Sequence, residues 1–132
     1  MKYIRIAAIS GMLAVILGAF GAHSLKALLT ADQLQAYETG VRYQFYHTLA
    51  LFMTGLLMNG YPSKALNMAA ASFIAGICCF SGSLYLLATR SLIGIENTAL
   101  LGPVTPLGGL LFIMGWVFLL VATGRMRTKN IL

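Results

Sequence analysis

Long apolar runs separated by short polar intervals dominate the chain. A helix that crosses a bilayer needs about 20 mostly apolar residues, and four stretches supply them: 3–22, 43–60, 65–88 and 99–123. The pattern predicts an all-α fold, an integral membrane four-helix bundle, with residues 1–132 forming a single transmembrane domain. Arg5 lies close enough to the end of the first span to snorkel its charge toward the headgroups. The same N-terminus has the outline of a signal peptide, with Lys2 and Arg5 before an apolar run and a small-x-small site at "AFG". The regular Gly and Ala spacing within that run favours a retained packing helix instead.

Polar residues punctuate the spans. The turn-rich "NGYPSK" ends the second span. Between the first two spans, Thr30 and Gln33 have the capping-box spacing. From there Leu34, Tyr37, Val41 and Phe45 recur at steps of three and four, with Asp32, Gln35, Glu38 and Arg42 elsewhere. That predicts an amphipathic interfacial helix between spans one and two, leading into the second. In the fourth span, Thr105 before Pro106 is a helix-start signature. A helix over 106–123 rises about 27 Å and nearly crosses the hydrocarbon core by itself. The stretch before Pro106 is therefore expected to be a Pro/Gly-rich break or strong kink; the alternative is one helix from Thr98, kinked at Pro103 and Pro106.

Composition sharpens the class. Hydrophobic residues make up 59% and charged residues 9%, whereas soluble domains carry about 25% charged residues. The chain cannot cover a water-facing surface, so its partners are expected to be membrane lipids. The net charge of +6 does not argue for nucleic acid, because the basic residues are scattered and form no stripe on one face. They act as topology signals. With four spans, one side holds Lys2, Arg5, Lys64, Arg125, Arg127 and Lys129, and the other holds Lys26, Arg42, Arg90 and the acids Asp32, Glu38 and Glu96. The bias predicts cytoplasmic N- and C-termini.

Small residues mark the packing surfaces, since helices in lipid associate by close approach. The first span carries Ala7, Gly11, Ala14, Gly18 and Gly21; the third carries Ala65, Ala69, Ser72, Gly76, Cys79 and Ser83. Both rows alternate steps of four and three, the period of a left-handed supercoil. Spans one and three are expected to pack on each other, or to meet across subunits of a homo-oligomer. Cys78 and Cys79 are neighbours pointing about 100° apart on a helix, which suits packing and not a disulfide or metal site.

The chemistry concentrates in "YETGVRYQFYHTLALF". Glu38 and Arg42 are four apart and can form an ion pair or contact headgroups. His47 comes nine residues after Glu38, on the opposite helical face, so the two cannot form a dyad within one helix. Tyr43 and His47 share a face. Two readings of His47 stand. It lines an outward-facing polar pocket, as ionisable groups at membrane depth do when they work; or it satisfies a nearby backbone group while the tyrosines form an interfacial belt. A cross-helix partner from His23, Ser24 or Glu96 is compatible with the first. His23 itself ends a helix, where capping is easy. No phosphate loop, nucleophile elbow or zinc motif is present in the sequence, and no cofactor or metal is expected.

The segments "GAFGAHSLK", "YETGVRYQFYHTLALF", "FSGSLYLL" and "GPVTPLGGLLFIMGW" resemble, in order and over nearly the whole chain, the small bacterial YgdD/YwdK family. That family is of unknown function and has a eukaryotic transmembrane relative. Gly21, Ala22, His23, Tyr43, Gln44, Tyr46, His47, Gly102, Pro103, Pro106 and Gly109 occupy its motif positions. The resemblance implies a four-span protein of the bacterial inner membrane and no known activity, substrate or cofactor. The expectation drawn from these residues is a non-enzymatic, homo-oligomeric protein that binds a lipid or small amphiphile near the outer leaflet, through Tyr43, Gln44, His47, His23 and Pro106. In that reading His47 and Gln44 bond the headgroup, and a helix starting at Pro106 favours an anionic group. The alternative is a small homo-oligomeric transporter or channel, which needs a polar route through an inner half that offers little beyond Thr54, Asn67 and Ser72.

Overall fold

The computed structural model describes residues 1–95, 99 and 101–129, with backbone alone for 125–129. Helix α1 is Lys2–His23, followed by a 3-10 turn at Leu25–Ala27; α2 is Ala31–Gly60. Then come α3 (Lys64–Gly76), a π-helical turn (Ile77–Ser81), α4 (Gly82–Ile93) and α5 (Leu101–Lys129). Among the described residues, three helical stretches are long and apolar enough to cross a membrane: Lys2–Leu25, Lys64–Ile93 and Leu101–Gly124. α2 has 30 residues, about 45 Å of rise, and carries much of the polar character.

α2 starts where the capping box expects. Thr30 Oγ1 accepts from the Gln33 amide at 3.3 Å, and the Thr30 amide donates to Gln33 Oε1 at 3.0 Å. No breaker follows until Tyr61, so the interfacial helix and the second span are one uninterrupted helix instead of two elements. Its buried positions, among them Tyr37, Gly40, Gln44, His47, Thr48, Leu51, Thr54 and Gly55, keep the three-and-four rhythm along its length. At the other end of the turn, Ser63 Oγ accepts from the Leu66 amide at 3.2 Å and starts α3.

α1 runs antiparallel to α2. Gly21 lies against Tyr37, Gly18 against Val41, Gly11 against Thr48, and Ile4 against Gly55. The small-residue stripe of α1 therefore packs on α2, and within the chain the stripes of spans one and three do not face each other. α1 and α3 are tied by a Tyr3–Asn67 hydrogen bond of 3.1 Å. The stripe of the third span is taken up mainly by α5: Gly76 faces Phe112, and Ser83 Oγ meets Thr105 Oγ1 at 2.6 Å. The reason is reach, because short side chains in α1 accept the Tyr37 ring of α2, whereas Gly76 accepts a ring from α5.

α5 corrects a second expectation. The helix is continuous from Leu101, so Gly102–Thr105 is helical and Pro106 is interior. Pro103 falls in the first turn, where a missing N–H costs nothing. Pro106 removes the donor to the Gly102 carbonyl and its ring crowds that carbonyl, while Thr105 of the same turn bonds Ser83 across to the neighbouring helix. Thr98 and Glu96 lie outside the described residues. Against the π turn, α5 comes so close that a Cβ on Gly108 would run into the Phe80 backbone. The centre of the bundle is filled by Leu51, Phe73, Phe112, Ala69 and Ala70.

Candidate functional site

α2 presents its polar residues in two directions, and this divides the expected site. Tyr43 and His47 turn toward the π turn and α5. There they line a cleft of about 600 Å³ together with Phe80, Pro106, Phe112 and Trp116. Tyr43, His47 and Pro106 are thus brought together, as the sequence suggested. The cleft opens on the outer surface of the bundle, where Leu110, Ile113 and Trp116 remain substantially exposed.

His47 is 6% exposed and its two nitrogens are occupied. Nδ1 lies 2.8 Å from the Tyr43 carbonyl, and Trp116 Nε1 donates to Nε2 at 3.3 Å. A carbonyl only accepts and an indole N–H only donates, so the pair fixes the Nδ1–H tautomer with a bare Nε2. The imidazole also stacks on Phe112, with centroids 3.4 Å apart. The Tyr43 ring packs on Phe80 at 4.7 Å, and its hydroxyl has no hydrogen-bond partner among the described residues. That hydroxyl is the polar group the cleft can offer a ligand. The surrounding walls are aromatic and aliphatic, suited to a chain or ring.

Gln44 points the other way. Its Nε2 donates to the Ser10 carbonyl at 2.9 Å and its Oε1 accepts from Tyr85 at 2.7 Å, joining α1, α2 and α4. Ser10 Oγ meets Thr48 Oγ1 at 2.6 Å, and Tyr37 donates to the Leu17 carbonyl at 3.1 Å. Gln44 is therefore not on the face that Tyr43 and His47 share. His23 bonds the Ala19 carbonyl at 2.9 Å at the exposed end of α1, which places it outside the cleft as well. Arg42 Nη2 donates to Thr39 at 3.3 Å in place of Glu38, and both charges border a separate small cleft between α1 and α2. Pro106 is interior to α5, so among the described residues no helix starts at Pro106 to face the site.

The residues that sequence reasoning missed are Phe80, Phe112 and Trp116. Local spacing carries no signal for a contact between positions 47 and 116. Trp116 is the single tryptophan of the chain, and a lone indole beside a lone buried histidine is the hint that pairing them required.

Long apolar helices that pair their polar side chains with one another define a small multi-helix membrane protein. Comparison with known proteins agrees. A family model described as "Protein of unknown function (DUF423)" matches residues 17–109. The chain is 42% identical over 121 residues to UPF0382 membrane protein YwdK of Bacillus subtilis, across 91% of this chain and 94% of that one. It is 38% identical over 125 residues to UPF0382 inner membrane protein YgdD of Escherichia coli, across 95% and 91% of the two chains. A UPF0382 membrane protein of Haemophilus influenzae is 38% identical over 130 residues, 98% of each chain. No solved structure matches. The chain belongs to this DUF423 (UPF0382) membrane protein family.

Proposed function

We propose that the chain is a non-enzymatic, homo-oligomeric four-span protein of the inner membrane, with cytoplasmic termini, that holds the apolar part of a lipid or small amphiphile between α2, the π turn and α5. The observation that carries this reading is the cleft of about 600 Å³ beside Tyr43 and His47. Its depth shapes the ligand. Thr48 lies against Gly11, the middle of α1, so His47 sits nearer mid-span than the headgroup zone. A chain or ring fits there, with Tyr43 offering one hydrogen bond to a polar substituent. His47 holds Trp116 and Phe112 in place as cleft walls; it does not bond the ligand.

A conducting pathway is supported less well. Several buried polar groups that a route would use are taken up internally, as in Tyr85–Gln44–Ser10 and in Thr54, whose hydroxyl bonds the Ala50 carbonyl at 2.8 Å. The buried Ser81 hydroxyl is left without a partner among the described residues. Trp116, the sole tryptophan, gives a direct test. In lipid nanodiscs carrying a rising fraction of brominated chains, a bound chain should quench Trp116 with a saturable component at low fractions. Quenching that only rises in proportion to the brominated fraction would reject the site.

A further inference from the structure

A second cleft lies at the polar end of the bundle and has a chemistry of its own. It measures about 200 Å³. Gly18, Gly21 and Ala22 of α1 form one wall; Tyr37, Glu38 and Arg42 of α2 form the other. The wall is firm. A Cβ on Gly21 would stand 2.7 Å from the Tyr37 ring, and the Tyr37 hydroxyl is tied to the Leu17 carbonyl. Glu38 and Arg42 both border the cleft, yet the Arg42 guanidinium turns to Thr39 instead of to Glu38. A guanidinium has five donors, so one bond to Thr39 leaves most of them available.

We propose that this cleft binds the headgroup of a zwitterionic phospholipid bearing a primary ammonium, with the phosphate on Arg42 and the ammonium on Glu38. The order of the two charges along α2 carries the assignment. α2 runs from its polar start at Ala31 into its apolar half, so Arg42 lies about 6 Å closer to the membrane core than Glu38. In such a lipid the phosphate is joined to the glycerol and the ammonium stands two carbons further out. Anion and cation of the headgroup thus meet cation and anion of the protein in the same order. Arg suits the phosphate because its fork can grip two oxygens. A carboxylate accepts hydrogen bonds from a primary ammonium, whereas a trimethylammonium has none to give. Gly18 and Gly21 let Val41 and Tyr37 pack directly on the α1 backbone, so the headgroup rests on the outer rim of the cleft at Glu38 and Arg42. The site is separate from the α2–α5 cleft and does not depend on its occupancy.

The test uses the full chain in mild detergent with phosphatidylethanolamine, phosphatidylcholine and phosphatidylglycerol of identical chains, followed by native mass spectrometry. Wild type should retain the ethanolamine lipid about fivefold better than the other two, the scale of an exposed ion pair. Glu38→Gln should reduce that lipid to the level of phosphatidylcholine and leave phosphatidylcholine unchanged. Arg42→Gln should weaken all three. Both side chains are exposed, and far-ultraviolet dichroism confirms that each variant is folded. Equal retention of the three lipids by wild type, or a preference that survives Glu38→Gln, would overturn the proposal. So would a preference abolished by filling the other cleft with Gly109→Phe.

Discussion

The imidazole of His47 lies flat on Phe112, with the planes 8° apart, and accepts the indole N–H of Trp116 on its bare Nε2. These contacts join the middle of α2 to α5 through side chains 65 and 69 residues apart in the chain. They bear on both readings that the sequence left open for His47, since the ring borders the cleft and also bonds the Tyr43 carbonyl. The ring satisfies partners and shapes a wall; a second titratable group is not among its hydrogen-bond partners.

Replacing His47 by Leu strands the Trp116 donor away from water. We expect a loss of about 1 kcal/mol in stability, because the half-exposed Trp116 loses an interhelical bond of the strength found in membranes. Trp116→Phe removes the stranded group, so the double variant should be more stable than the sum of the single effects predicts. Unfolding of all four proteins in a mixed detergent–denaturant series measures this coupling, and strict additivity would mean the bond contributes nothing.

Gln44 should behave as a clamp. Gln44→Leu breaks its bonds to Ser10 and Tyr85 together, at a cost of about 1–2 kcal/mol given that single interhelical bonds in membranes average about 0.6 kcal/mol. After that change Tyr85→Phe should cost little more. Thermal denaturation of the two single variants and the double variant is sufficient to see it.

The contact of α5 with the π turn makes Gly108 the least replaceable glycine of that helix. Gly108→Val should disrupt the packing of α5 on the π turn, because the first added carbon already meets the Phe80 backbone. Gly102→Val, with open space around it, should be tolerated. Size-exclusion profiles after extraction distinguish the two: aggregation or loss of expression for the first, and wild-type elution for the second.

Pro106 interrupts one backbone bond within a continuous helix. Pro106→Ala restores the donor for the Gly102 carbonyl and should leave helical content unchanged, with stability equal or higher. A large loss of helicity or stability would show that the proline imposes a bend on which the packing depends.

Residues acting through their own neighbours were legible in the sequence. Thr30 and Gln33 announced the start of α2, and "NGYPSK" its end, because caps and breakers work over three or four positions. Local rules also misled where tertiary packing overrode them. Thr105–Pro106 reads as a helix start, yet the Ser83 hydroxyl holds Thr105 within a longer helix. Small-residue stripes on α1 and α3 were visible, but their partners were not, since a glycine row does not say which ring will fill it. The site was half visible for the same reason. Tyr43 and His47 share a face by spacing alone, whereas Gln44 is turned away by Tyr85, 41 residues further on. Trp116 and Phe112 enter only through the folded chain.

The central claim is that the α2–α5 cleft holds a ligand, and native mass spectrometry of wild type beside Gly109→Phe tests it most directly. Gly109 borders the cleft, and a Cβ there meets only the Phe80 ring, at 4.0 Å, so the phenyl group fills the space without entering the core. A discrete adduct on the wild type, absent from a folded Gly109→Phe protein, is the predicted result, and its mass identifies the ligand. The same adduct on both proteins, or on neither, would contradict the account.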